Sequence, residues 1–159
     1  MTNHTGGNSA PWLALYLALG IPAALLGGAY VSEYVLGLFP CEMCWWQRWP
    51  HFAALAFAIA AFVSAQKRLM VGLAALAILT SGLIGGFHAG VEYGWWEGLT
   101  SCSTAIDTSG NAMDAIMGAP LFRCDVAPWD LFGISLAGWN FLISTFSALA
   151  IFRLLAQKR

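Results

Sequence analysis

The stretch LMVGLAALAILTSGLIGGFHAGV, residues Leu69–Val91, runs for 23 residues without one Asp, Glu, Lys or Arg. The basic pair Lys67 and Arg68 precedes it, and Glu92 follows it. A helix needs about 20 apolar residues to cross the hydrocarbon core of a bilayer. The stretch therefore predicts a membrane-spanning helix with one basic and one acidic end.

Three further uncharged stretches have a comparable length. They are Pro11–Val31, Trp49–Gln66 and Leu131–Phe152. Each run is continuous and about twice the length of a tilted barrel strand, which argues against a β-barrel. We predict an all-α membrane protein, a four-transmembrane-helix bundle, with spans at about 11–31, 49–66, 69–91 and 131–152. No repeat or linker divides residues 1–159, so a single integral membrane domain is expected.

The composition excludes several other classes of protein. Charged residues make up 9% of the 159 residues, against about 25% in a typical soluble domain. So few charges are insufficient to cover a soluble domain, and intrinsic disorder needs low hydrophobicity. The formal net charge of -1 gives no reason to expect nucleic acid as a partner.

The basic residues predict the orientation of the spans. Lys67 and Arg68 lie between spans two and three, and Arg153 follows span four. By the positive-inside rule these ends are cytoplasmic, which places both termini inside and leaves outer loops at about 32–48 and 92–130. Within the second loop, Ala105–Gly118 is expected to form a short interfacial helix.

The four cysteines, Cys41, Cys44, Cys102 and Cys124, all fall in these outer loops. Cys41 and Cys44 have the spacing of redox-active dithiols, and a bridge across so short a ring adds little stability. A bridge between Cys102 and Cys124 would close a longer loop, so a purely structural staple remains open for them. Zinc is disfavoured because it normally takes two short-spaced pairs.

Arg48 is one of two basic residues on the acidic side, four positions after Cys44. Pro50 predicts that the second helix begins near Gln47, which would place Cys44 just before a helix N-terminus. Both the helix dipole and the guanidinium would then favour a Cys44 thiolate. An interfacial anchor is the alternative role for Arg48. His51 and His88 could ligate a b-type haem, or serve only as interfacial polar residues.

Three runs of sequence resemble one known family. PCEMCWWQR at Pro40–Arg48, HAGVE at His88–Glu92 and RCDVAPWDLFGISLAGWN at Arg123–Asn140 are similar to the bacterial disulfide bond formation protein B (DsbB) family. The similarity extends from Pro11 to Phe152. A CxxC alone is weak, whereas CxxC followed by QR, together with the CDxxPW run before span four, is specific.

The resemblance implies a four-helix enzyme of the bacterial inner membrane with periplasmic cysteines. It would reoxidise a periplasmic thioredoxin-fold dithiol oxidase (DsbA-like) and pass the electrons to quinone. The implied redox disulfides are Cys41–Cys44 and Cys102–Cys124. Cys102 would form the mixed disulfide with the partner, and Cys124 would then exchange with Cys41.

The resemblance also implies the contacts of the electron acceptor. Cys44 would be the thiolate beside a ubiquinone or menaquinone ring, and Arg48 would hold a quinone oxygen. His88 and Gln47 are the further candidate contacts, and no metal or haem is expected. Three alternative functions remain open at this point. One is a vitamin K epoxide reductase-like enzyme, although such enzymes usually carry the CxxC near a late span. The other two are a haem-carrying membrane anchor and a non-catalytic scaffold.

Overall fold

The computed structural model describes residues 9–100 and 123–157, and these are mostly helical. Four long helices follow one another: α1 (Ser9–Tyr34), α2 (Glu42–Val63), α3 (Lys67–Glu92) and α4 (Leu136–Ala156). Two short antiparallel strands, β1 (Asp130–Leu131) and β2 (Ile134–Ser135), precede α4. α3 packs most extensively against α2 and α4, and α1 lies against the same two helices. The predicted all-α class is confirmed for the described residues.

Three of the described helices are long and apolar enough to cross a membrane: α1 from Pro11, α3 and α4. The second predicted span, 49–66, is not confirmed. Its helix α2 carries Gln47, Arg48 and His51 in its first half. Only the stretch Phe52–Val63 is continuously apolar, and at 1.5 Å per residue it covers about 18 Å of a core about 30 Å thick.

α2 begins at Glu42, so the prediction of a start near Gln47 was wrong. Cys41 caps the helix, because its side chain accepts a hydrogen bond from the Cys44 amide. The acidic Glu42 lies in the first turn, where the helix dipole favours negative charge. Pro50 is accommodated inside the helix, as prolines are in membrane helices whose neighbours satisfy the freed backbone groups.

α4 begins five residues later than the predicted span at Leu131. The chain turns tightly between β1 and β2, with positive φ angles of 56° at Phe132 and 76° at Gly133. Ser135 then caps α4 by accepting a hydrogen bond from the Gly138 amide at 3.1 Å. The hairpin uses the first apolar residues of the stretch, so the helix has to start after it.

Small residues fill the interior between the helices. The fully buried alanines are Ala14, Ala18, Ala54, Ala58, Ala61, Ala74, Ala75 and Ala148. Large apolar side chains such as Leu76, Leu83 and Phe146 point outwards instead and are more than half exposed. A small-residue interior with an apolar exterior is the arrangement expected of helices that pack in lipid.

The second predicted loop is described only in part. Cys102 and the predicted helix Ala105–Gly118 lie outside the described residues. The segment that is described brings Cys124 back against the start of α2, in a buried cluster with Cys41, Met43 and Val91.

Candidate active site

The CxxC pair lies at the N-terminus of α2. Cys41 is buried, Cys44 is half-buried, and both are free thiols whose Sγ atoms are 2.8 Å apart. The Cys44 amide also donates to Cys41 Sγ at 3.3 Å. The helix start therefore directs two donors of Cys44 towards one sulfur.

His88 on α3 supplies a third donor to Cys41. Its Nε2 is 3.7 Å from Cys41 Sγ and 3.7 Å from a carboxylate oxygen of Glu92. The hydrogen bond from Cys44 and the contacts with His88 lower the pKa of Cys41 to about 5, although burial by itself would raise it. In the reduced pair the negative charge therefore lies on Cys41, and the expectation that Cys44 is the stabilised thiolate was wrong for this state. The cause is that Cys41 caps the helix whereas Cys44 lies inside it.

Gln47 determines which nitrogen of His88 faces the sulfur. Its Nε2 is 2.8 Å from His88 Nδ1, and its Oε1 accepts a hydrogen bond of 2.8 Å from Asn140 Nδ2. The amide therefore donates to Nδ1, so that Nε2 carries the proton that points at Cys41. Asn140 of α4 also donates to Ser81 of α3, so three helices hold this network together.

A third sulfur lies beside this pair. The ligand atoms of Cys41, His88 and Cys124 all lie within 4.8 Å of one another. Cys124 is fully buried, is disulfide-bonded, and accepts a contact from Thr100 Oγ1 at 3.7 Å. A disulfide sulfur within reach of a thiolate is the arrangement that thiol–disulfide exchange needs. It also makes the cluster a poor metal site, since metals bind the free thiolate.

Arg48 is not a free interfacial anchor. Its guanidinium forms an ion pair of 2.6 Å with Glu33 of α1 and lies over the rings of Tyr30 and Trp45, 5.0 and 4.9 Å from their centres. Only 6% of Arg48 is exposed. Glu33 was missed from the sequence, although it is the acid nearest the end of span one and faces the only base of the first outer loop.

A cavity of about 250 Å³ opens beside these groups and is lined by residues of α1, α2, α3 and α4. Its walls are mainly apolar, and the polar groups lining it are those of Ser32, Cys44, Gln47, Arg48, His51, His88, Glu92 and Asn140. Cys44 rather than Cys41 lines the cavity. Cys41 thus lies next to the disulfide-bonded Cys124, and Cys44 lies at the cavity. The CxxC pair therefore lies between the disulfide and the cavity.

The structure brings together most of the predicted site. Cys41, Cys44, His88 and Cys124 lie at one point, and Gln47 with Arg48 lines the adjoining cavity. Gln47 and His88 hydrogen-bond protein groups rather than being free to contact a ligand. Ligation of a haem by these two histidines is also disfavoured, because both nitrogens of His88 and the Nε2 of His51 already contact protein groups.

A helical membrane protein with a buried dithiol next to a disulfide sulfur has the site of a membrane thiol–disulfide oxidoreductase. The model of the family "Disulfide bond formation protein DsbB" matches residues 11–154. This chain belongs to that family.

Individual relatives agree with the family match. Disulfide bond formation protein B of Verminephrobacter eiseniae (strain EF01-2) is 30% identical over 89% of this chain and 83% of its own. The protein of the same name from Aromatoleum aromaticum is 26% identical over 92% and 93%. Disulfide bond formation protein B 1 of Pseudomonas savastanoi pv. phaseolicola is 32% identical over 73% and 72%. No solved structure matches the chain significantly.

Proposed function

We propose that this protein is the quinone-linked oxidase of a periplasmic DsbA-like, thioredoxin-fold dithiol protein in the bacterial inner membrane. Both termini would lie in the cytoplasm and all four cysteines in the periplasm. The observation that carries the proposal is the position of Cys41 and Cys44 between a disulfide-bonded sulfur and an apolar cavity that contains Arg48.

The cysteines would pass the electrons in two exchanges. A thiolate of the partner attacks Cys102 of a Cys102–Cys124 disulfide, and the partner's second thiol then closes the partner's disulfide and leaves two thiols here. The Cys124 thiolate next attacks Cys41 in a Cys41–Cys44 disulfide and expels Cys44 as thiolate. Attack by Cys102 on Cys124 restores the first disulfide and leaves the reduced Cys41 and Cys44 pair, so that two electrons have moved from partner to CxxC.

The polar groups around Cys41 support the second exchange. Backbone and side-chain donors of Cys44, together with the His88 contacts, stabilise negative charge on Cys41. A sulfur that is stabilised as thiolate is a good leaving group. Cys41 is the leaving group when Cys102 attacks Cys124. His88 is held in its donor tautomer by Gln47, so both residues act as positioning groups for the thiolate.

The cavity fits the oxidant that this scheme needs. Its walls suit a lipid-soluble ring, Arg48 offers fixed donors for a carbonyl oxygen, and His51 presents a buried Nδ1 with no partner among the described residues. When bound, ubiquinone or menaquinone would accept the two electrons of the reduced CxxC pair, together with one proton from the Cys44 thiol and one from water. About 30 mV corresponds to 1.4 kcal/mol for a two-electron couple, so a high-potential quinone would supply the driving force for oxidising a strongly oxidising partner.

Reduction of a soluble quinone analogue by the purified protein, with a reduced DsbA-like partner as electron donor, tests the proposal. Cys44→Ala should abolish turnover, because the CxxC disulfide can no longer form. Thr80→Ala, a small polar side chain on the exposed face of α3, is the matched control and should keep the rate of the parent. An unchanged rate in Cys44→Ala would overturn the proposal.

The same assay examines the proposed role of Arg48. Arg48→Ala should raise the apparent quinone KM by about tenfold or more, since a charge-assisted hydrogen bond contributes about 1.5–3 kcal/mol. Arg48→Lys keeps the charge and should recover part of the affinity. A KM equal to that of the parent in a folded Arg48→Ala protein would exclude Arg48 from the binding site.

A further inference from the structure

His51 lines the cavity, and its buried Nδ1 has no hydrogen-bond partner among the described residues. The side chain is 3% exposed. Buried polar atoms are nearly always paired, because an unpaired one costs about 1–3 kcal/mol. The unpaired Nδ1 therefore marks a position where a bound molecule would complete the site.

The network of Asn140 determines the protonation of the His51 ring. Asn140 Nδ2 donates to Gln47 Oε1 and to Ser81, and Asn140 Oδ1 accepts a hydrogen bond of 2.8 Å from Ser144. The atom 3.0 Å from His51 Nε2 is thus a carbonyl oxygen. Since an amide oxygen only accepts, Nε2 carries the proton and Nδ1 of the neutral ring is a bare acceptor.

We propose that His51 Nδ1 accepts a hydrogen bond from the hydroxyl of a hydroquinone, so that the cavity binds the reduced electron carrier more tightly than the oxidised one. This inference rests on the proposed function. Arg48 has only donors, which suit an oxygen of either form. An acceptor at His51 suits the hydroxyl alone, because a quinone carbonyl has no hydrogen to give.

The preference would have a consequence for the reaction. By linkage, a site that binds the reduced form more tightly makes its bound quinone a stronger oxidant. The two electrons still come from the Cys41 thiolate and the Cys44 thiol, which close to a disulfide. The Cys44 thiol supplies one proton and water the other, and both protons end on the two quinone oxygens. His51 gains and loses only a hydrogen bond, so it contacts the product without being consumed.

Two substitutions separate the ring nitrogens. Gln at position 51 places its amide NH₂ near the site of Nε2, which keeps the donor to Asn140 but removes the acceptor at Nδ1. Asn at position 51 places its amide near the site of Nδ1, which keeps an acceptor there but gives up the contact with Asn140. Both are compared in the full-length protein carrying Cys44→Ser, so that no turnover changes the ligand during the measurement.

The experiment measures the Kd of a short-chain ubiquinol and of the matching ubiquinone by tryptophan fluorescence. His51→Gln should weaken ubiquinol binding by about 3- to 10-fold, the equivalent of one neutral hydrogen bond, and leave ubiquinone binding unchanged. His51→Asn should keep the preference for ubiquinol. An equal loss for both ligands in His51→Gln, or no preference in the Cys44→Ser parent, would overturn the role of His51. If neither ligand binds the parent, the proposed function itself fails.

Discussion

Cys41 shows how one residue can be both a structural cap and a reactive group. Its sulfur accepts the Cys44 amide at the start of α2, and the same acceptor geometry stabilises the thiolate. Because the folded pKa of about 5 lies below the ordinary value of 9.0, the charge also stabilises the folded, reduced protein. That stabilisation is complete above about pH 9 and is lost as the pH falls to about 5.

We predict that Cys41 of the reduced protein is half-ionised near pH 5. Its rate of alkylation by a small reagent, measured by mass spectrometry of the Cys41 peptide at a series of pH values, should follow the thiolate fraction. Cys44→Ala removes the largest cause of the shift and should move the midpoint upwards, while Cys44→Ser retains a donor and should move it less. A midpoint near 9 in the parent would contradict the arrangement at Cys41.

At the scale of the elements, α3 and α4 approach closely because α3 lacks side chains along one face. A Cβ at Gly82 would lie 3.0 Å from the Ser144 side chain, and one at Gly86 would lie 2.8 Å from the Phe141 ring. Gly85, between them, faces the backbone: a Cβ there would lie 2.9 Å from the Ala137 carbonyl oxygen and 3.1 Å from Gln47 Oε1. The glycine face therefore also sets the position of the polar network.

Gly85→Ala should lower the stability of the protein by about 1–3 kcal/mol, as overpacking does, and should reduce turnover by displacing Gln47. Gly72→Ala is the matched control on the same helix, because its Cβ would meet Leu155 at an ordinary 4.0 Å. It should be neutral or slightly stabilising, since alanine favours helix over glycine by up to about 1 kcal/mol. Thermal unfolding in detergent measures both, and equal Tm values for the two variants would contradict the close approach.

For the whole molecule, the number of crossings depends on α2. The first half of α2 is polar and its apolar second half is short. Among the described helices, α2 is therefore not one of those that are long and apolar enough to cross a membrane. Its polar side chains nevertheless face protein: Gln47, Arg48 and His51 are each buried to more than nine-tenths. A helix whose polar side chains are buried against α1, α3 and α4 can insert into a bilayer even though its average hydropathy does not predict insertion.

We therefore predict four crossings, which single-cysteine labelling can test. With the native cysteines oxidised, Leu36→Cys at the end of α1 should react with a membrane-impermeant maleimide in spheroplasts. Ala65→Cys, just after α2, should react only after the membrane is permeabilised. Labelling of Ala65→Cys from outside would mean that α2 does not cross, and Gln157→Cys serves as the cytoplasmic control.

The sequence was sufficient to predict the helical membrane class and the cysteine chemistry, because apolar run length, charge position and CxxC spacing are properties of neighbouring residues. It was also sufficient for the family, through three short runs. The pairing of Glu33 with Arg48, the early start of α2 and the unsatisfied nitrogen of His51 depended on tertiary structure. His51 meets Asn140 across 89 positions of the chain, and contacts at such separations arise only when the helices pack.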